Sequence, residues 1–147
     1  MSSIFKIAWL IPLFPLAVAF SLLILLISFN RTMNRLSKPV SYLLMISVAL
    51  STVISFIIFK QQFSGQIADW DLDILAIKIH LGLYIDDIAA KISTSLGVFA
   101  LIIMASSFYL MDRKKGYVRY FISLSLSFGL VFLFVLSGDP FHSLFKL

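Results

Sequence analysis

Charged residues are rare in this sequence, yet Asp86, Asp87 and Lys91 lie close together at the start of a long apolar run. Asp87 and Lys91 are four positions apart and therefore share one face of a helix. Such a pair could relay protons or gate a pathway, because ionisable residues inside membrane helices are often functional. It could also be an ion pair at the helix end, with Lys91 reaching the interface and the helix dipole stabilising the carboxylates. We favour the ion pair, and we therefore predict a structural role for Asp86, Asp87 and Lys91.

Arg119 is the fourth candidate, just inside the last apolar run and close behind Lys114 and Lys115. It could bind a lipid headgroup or a partner protein. It could also be an anchor that holds the end of a membrane helix at the interface, as basic residues commonly do. We favour the anchor.

Residue types that support most other chemistry are missing or poorly placed. There is no cysteine, which excludes disulfides and thiolate ligation of iron–sulfur clusters. There is no glutamate, and all seven acidic residues are aspartates. The two histidines, His80 and His142, fall outside the apolar runs, which disfavours a haem or chlorophyll ligand. Nucleotide-binding glycine loops and metal-ligand spacings are also missing. The sequence predicts no catalytic residue, no cofactor and no metal site.

The composition indicates a membrane protein. Hydrophobic residues make up 61% of the 147 positions and charged residues only 13%, whereas soluble domains carry about 25% charged residues. A water-soluble fold of this size could not bury so much apolar surface, so we predict that the solvent is the bilayer. The net charge of +5 arises from basic residues in short loops between apolar runs. This pattern is typical of membrane topology and argues against nucleic acid as a partner.

Four apolar runs are long enough to cross the hydrocarbon core, which takes about 20 residues. The runs are residues 7–29, 40–59, 88–111 and 117–136. Between the second and third runs, residues 77–83 alternate apolar and other side chains, which is typical of a strand. We predict an all-α membrane protein with four transmembrane helices, forming a single membrane domain over residues 1–147. A short β-hairpin or extended segment on the membrane surface is expected between helices two and three.

Small residues inside the runs predict close contacts between helices. Ser125 and Gly129 are spaced i, i+4 in the last run, and Ser93, Ser95 and Gly97 lie near the start of the third. Small side chains let membrane helices approach each other closely.

The loops predict the orientation of the chain. The second loop carries five aspartates against two lysines. Basic residues instead lie in the first and third loops: Arg31, Arg35, Lys38, Arg113, Lys114, Lys115 and Arg119. The positive-inside rule places these two loops in the cytoplasm or stroma. Both chain ends and the second loop are then expected on the lumenal or periplasmic side.

Three segments together resemble one known family. Residues 8–16 read AWLIPLFPL, residues 84–92 read YIDDIAAKI, and residues 116–137 read GYVRYFISLSLSFGLVFLFVLS. The resemblance is to the N-terminal part of subunit 5 of the NAD(P)H-quinone oxidoreductase of cyanobacteria and plastids. This is an antiporter-like subunit of the complex I family. The third segment aligns without a gap and is the most specific of the three.

The departures from the family limit what the resemblance implies. In the family, this region is followed by a helix with a Trp-Glu pair, and that glutamate and later membrane lysines serve the proton channel. Here Ser137 is followed by GDPFHSLFKL, so the resemblance stops before the proton-channel helices and carries over no catalytic residue. Asp86 matches a recurring aspartate of the family, which implies that it fixes the entry from strand to helix. Lys91 replaces an apolar or small residue.

The resemblance implies a non-catalytic integral membrane subunit that docks to a large photosynthetic or respiratory membrane complex in a cyanobacterial thylakoid. No autonomous catalysis is expected, and an enzymatic role would be that of one subunit of a proton-translocating NAD(P)H-plastoquinone oxidoreductase. The expected partners are membrane lipid and other membrane subunits. Two other hypotheses stay open. One is a photosystem accessory or assembly protein that reuses the fold. The other is a small independent transporter, although no acid lies near the centre of a run.

Overall fold

The computed structural model describes residues 7–62, 65–74, 77–85, 87–112, 114 and 116–136. The elements in this part of the chain are α1 (Leu10–Ser28), α2 (Asn30–Arg35), α3 (Ser37–Gln61), β1 (Gly65–Ile74), β2 (Ile77–Ile85), α4 (Asp87–Leu110) and α5 (Tyr117–Leu136). By length and composition, the four long helices α1, α3, α4 and α5 can cross a membrane. The prediction of an all-α membrane fold with four spanning helices is confirmed.

Backbone chemistry explains where the helices begin and end. Pro39 lies in the first turn of α3, where its missing amide costs no hydrogen bond, so the helix begins at Ser37, before the predicted residue 40. The same helix ends where Gln62 adopts a left-handed conformation with φ of 50°. Gly116 precedes α5 with φ of 99°, a conformation that glycine adopts without a steric penalty.

The first loop contains a short helix that the sequence analysis did not predict. Residues 30–35 form the short helix α2, and Phe29 separates it from α1 with φ of −132° and ψ of 54°. The sequence Asn30–Arg35 contains no glycine or proline to interrupt a helix. Its one buried residue, Met33, is 6% exposed and packs into the apolar interior. This tertiary contact explains why the segment is helical although its sequence is polar.

The connection between α3 and α4 is a hairpin of two antiparallel strands. Trp70 of β1 is opposite Leu81 of β2, and Ile74 is opposite Ile77. The alternation within residues 77–83 therefore predicted a strand correctly. Its position on the membrane surface stays a prediction. Ile85, at the end of β2, is 1% exposed and joins the strand pair to the helical interior.

The four long helices pack as a ring in the order α1, α3, α4, α5. The most extensive contacts are those of α1 with α5 and of α3 with α4, followed by α1 with α3. The contact between α4 and α5, which closes the ring, is smaller and about as extensive as the contact of α3 with α5 across the bundle. The first and last spans are therefore close neighbours although they are distant in sequence.

Two apolar clusters fill the interior of the ring. The larger cluster lies toward α2 and includes Leu26, Met33, Val40, Met104 and Phe121. The smaller cluster lies toward the hairpin and includes Ile11, Ile58, Ile85, Phe132 and Leu136. The outer faces of the long helices are also apolar: Ile24 is 63%, Ile46 57%, Phe99 64% and Leu130 57% exposed. A surface of this kind requires lipid or protein around it.

Candidate functional site

Asp87 and Lys91 form an ion pair in the first turns of α4. Lys91 Nζ lies 2.8 Å from Asp87 Oδ2, and the side chains are 55% and 43% exposed, respectively. The pair therefore lies at the edge of the bundle, where water or lipid headgroups can reach it. An exposed i, i+4 pair of this kind contributes about 0.3–0.5 kcal/mol to stability.

Lys91 also contacts the neighbouring helix. Its Nζ lies 5.8 Å from the ring centre of Phe59 in the last turns of α3, within the range of a cation–π interaction. On the same end of α3, Lys60 Nζ lies 5.4 Å from the ring centre of Phe56. Lys91 thus connects α4 to α3 next to the hairpin. This geometry fits a structural role for Asp87 and Lys91, and that role stays a prediction.

The remaining candidates from the sequence are Asp86 and the two histidines. Asp86 lies outside the described residues, so its role at the strand-to-helix entry stays a prediction. His80 lies in β2, and His142 lies outside the described residues. In the described part of the chain, no three His, Cys, Asp or Glu side chains come together as metal ligands would.

Replacing Lys91 by methionine is expected to lower the free energy of unfolding by less than about 1 kcal/mol, because the ion pair is exposed. The matched control is Lys60→Met, which removes a cation over a phenylalanine ring but no ion pair among the described residues. Thermal unfolding in mild detergent measures both variants. The structural interpretation fails if the wild-type chain conducts protons in liposomes and only Lys91→Met abolishes the flux.

The bundle interior contains hydroxyl groups but, among the described residues, no buried charge. The buried polar side chains are Ser37, Ser41, Ser47, Ser51, Thr52, Ser55, Ser93 and Ser125. All but the last two lie on α3. The sequence analysis missed this stripe on α3, although Ser47, Ser51 and Ser55 repeat at every fourth position and so share a helix face.

Most of these hydroxyls are satisfied by their own helix. Ser51 Oγ and Thr52 Oγ1 donate hydrogen bonds to carbonyls one turn earlier, at 3.1 and 2.8 Å. Such bonds remove the cost of burying a hydroxyl without any partner helix. Within the described residues, Ser55 Oγ and Tyr117 Oη are buried without a hydrogen-bond partner.

Two glycines let neighbouring helices approach closely. Gly97 of α4 lies against Thr52 of α3, and Gly129 of α5 lies against Leu16 of α1. Ser125, one turn before Gly129, donates a hydrogen bond to a backbone carbonyl of α1 at 3.4 Å. Of the small residues predicted to permit close packing, Gly97, Ser125 and Gly129 therefore lie at the two most extensive helix interfaces. The prediction is wrong for Ser95, which is exposed.

Arg119 lies on the outer surface of the bundle, where α1 and α5 form a groove. Its side chain is exposed in the first turn of α5. The groove has a volume of about 430 Å³ and is lined by Leu23, Leu26, Ile27, Asn30, Arg119 and Ser123. The position of Arg119 fits the predicted interfacial anchor, and that role stays a prediction. Arg119 also lines the groove.

The fold and these sites define the class of protein to which the chain belongs. The chain is an integral membrane protein with four spanning helices and a hydroxyl-containing interior. In its described part, the charged residues lie near the helix ends, in the connections and in the hairpin. Comparison with known proteins narrows this class. No family model matches the chain.

Curated relatives match most of the chain. It is 33% identical over 138 residues to NAD(P)H-quinone oxidoreductase subunit 5, organellar chromatophore 1, of Paulinella chromatophora. It is 32% identical over 130 residues to the chloroplastic subunit 5 of Mesostigma viride, and 30% identical over 140 residues to chain 5 of Picosynechococcus sp.. These matches cover 91%, 86% and 90% of this chain.

The chain is therefore a relative of subunit 5 of the NAD(P)H-quinone oxidoreductases, as the three sequence segments indicated. It spans only about a fifth of the length of the curated relatives it matches, between 20% and 21%. At 86% to 91% of this chain, the shared part includes most of the residues of the four-helix unit described above.

Proposed function

We propose that this chain is a non-catalytic membrane subunit of a large NAD(P)H-quinone oxidoreductase-type complex. It contributes four membrane helices to the assembly and no redox centre or proton channel of its own. The observation that carries this proposal is the similarity to subunit 5 over about nine tenths of the chain.

The interior of the bundle supports a structural rather than a proton-conducting role. Proton relays in membrane proteins use ionisable side chains that face the bundle interior. In the described residues, the buried polar groups are hydroxyls, and Asp87 and Lys91 are about half exposed at a helix end. Hydroxyls that donate to their own helix help close packing but carry no charge.

We also propose in which membrane the chain lies and how it is oriented there. The matched relatives come from chloroplasts, a chromatophore and a cyanobacterium, which supports a thylakoid location. Arg31, Arg35 and Lys38 are exposed around α2. By the positive-inside rule, this end of the bundle faces the cytoplasm or stroma, and the hairpin and both chain ends face the lumen or periplasm. The chain then forms a single membrane domain.

Purification of the tagged chain from its native membranes in mild detergent tests this function. We expect the chain to migrate on native gels with a large complex, and mass spectrometry to identify membrane subunits of the oxidoreductase. The control is an unrelated tagged protein of four spans, expressed at the same level, which accounts for non-specific recovery from the detergent extract.

Two other outcomes would contradict the proposal. Recovery of photosystem subunits in place of oxidoreductase subunits would make the chain a photosystem accessory or assembly protein that reuses the fold. Recovery of a free monomer or homodimer under the mildest solubilising conditions would remove the docking role. An independent transporter would then have to be tested by ion flux in liposomes.

A further inference from the structure

The groove between α1 and α5 has two chemically different walls. Leu23 and Ile27, on one side of α1, make the first wall apolar. Arg119 and Ser123 make the second wall polar, and their i, i+4 spacing places them on one face of α5. Ile27 is 77% exposed, so the groove is open to the medium that surrounds the bundle, and in a membrane that medium is lipid.

The end of the groove nearest α2 offers hydrogen-bond donors. Asn30 Oδ1 accepts a hydrogen bond from Asn34 Nδ2 at 2.9 Å, and the side-chain amide of Asn30 keeps its N–H groups as donors. Arg119 adds a guanidinium with five N–H donors in a fixed plane. Both side chains therefore match an acceptor-rich anion.

The charge on Arg119 is not neutralised within the described part of the chain. Asp112 is the described carboxylate nearest to it in sequence, and its Oδ2 lies 3.6 Å from Lys114 Nζ. No described carboxylate forms an ion pair with Arg119. The exposed Arg31 and Arg35 of α2 add positive charge at the same end of the bundle, so the local field favours an anion.

We propose that this groove binds an anionic membrane lipid. An acyl chain lies against Leu23 and Ile27, and the phosphate or sulfonate of the headgroup accepts hydrogen bonds from Arg119 and Asn30. A guanidinium suits this task because it binds a tetrahedral oxyanion through two parallel N–H bonds. The inference rests on the membrane location of the helices and is independent of the partner complex proposed above.

The full-length chain, reconstituted into phosphatidylcholine nanodiscs, allows a direct test. Spin-labelled phosphatidylglycerol and spin-labelled phosphatidylcholine are added separately, and electron spin resonance measures the fraction of each that is immobilised on the protein. We expect the wild-type chain to prefer phosphatidylglycerol. Arg119→Gln is expected to reduce the preference at least about tenfold, because a hydrogen bond to a charged group contributes on this order. Arg119→Lys keeps the charge and is expected to be intermediate.

Two further variants separate the groove from general surface charge. Lys114→Gln removes the same charge from the same end of the bundle but outside the groove, where Asp112 lies 3.6 Å from the Lys114 ammonium, and it should reduce the preference much less. Ile27→Trp fills the apolar wall without altering charge and should also reduce the preference. Equal losses in Arg119→Gln and Lys114→Gln would overturn the proposal in favour of a diffuse basic surface. An unchanged preference in Arg119→Gln or Ile27→Trp would overturn it as well.

Discussion

Replacing Gly97 by alanine is expected to lower the free energy of unfolding by about 1–3 kcal/mol, the usual cost of overpacking an interior. A Cβ atom at this position would overlap Thr52 Oγ1 and would lie 2.8 Å from Thr52 Cγ2. Thr52 cannot easily rotate away, because a β-branched side chain has few rotamers in a helix and its Oγ1 donates to the Val48 carbonyl at 2.8 Å. The α3–α4 interface must therefore open to admit the methyl group.

Thermal unfolding in mild detergent, followed by circular dichroism, measures this loss. Ser95→Ala is the matched control, since Ser95 is exposed on the same helix. The double variant Gly97→Ala/Thr52→Ala should recover part of the stability, because it removes the two closest atoms and leaves Thr52 Cβ at 2.9 Å. If Gly97→Ala is as stable as Ser95→Ala, helices α3 and α4 do not pack in this way.

Replacing Phe121 by alanine is expected to cost about 3 kcal/mol, near the lower end of the range for buried phenylalanine. Phe121 is 0% exposed in the larger apolar cluster, and its ring centre lies 4.8 Å from that of Tyr117. The loss comes mainly from the cavity and the missing contacts. The apolar transfer contributes less than in water, because the lipid around separated helices is itself apolar.

The same substitution on the outer face is the control for this prediction. Phe99 is 64% exposed on α4, so lipid can fill the space that Phe99→Ala leaves, and we expect a change within about 0.5 kcal/mol. Denaturation by increasing fractions of sodium dodecyl sulfate compares the two variants directly. Equal losses in Phe121→Ala and Phe99→Ala would mean that the inner and outer faces of the bundle are assigned wrongly.

Hydropathy predicted the spans to within a few residues. The predicted span at 117–136 coincides with α5 (Tyr117–Leu136), and the one at 88–111 differs from α4 (Asp87–Leu110) by one residue at each end. Helix α3 is longer than predicted because hydrogen bonding continues into its polar ends. Hydropathy measures the apolar stretch and does not detect helical turns built from residues such as Ser37 or Gln61.

The candidate sites were predictable only where local spacing determines the geometry. The i, i+4 spacing of Asp87 and Lys91 placed their charged groups within reach, and the structure has them at 2.8 Å. The contact of Lys91 with Phe59 joins two helices and could not be inferred from spacing along one of them. Likewise, nothing in the sequence around Arg119 indicates that Leu23 and Ile27 of α1 lie beside it.

The sequence by itself determined the membrane class, the number of spans, the strand between the second and third spans and the relationship to the oxidoreductase subunit. The length of the apolar runs determines the membrane class and the number of spans, and period-two alternation determines the strand. The relationship to the oxidoreductase subunit follows from the identity of the residues. The tertiary structure decided the ring order of the helices, the inward face of each helix and the groove at Arg119. In lipid, the inner and outer faces of a helix are both apolar, so hydrophobic periodicity does not separate them. The fit of small residues such as Gly97 and Gly129 against their neighbours does.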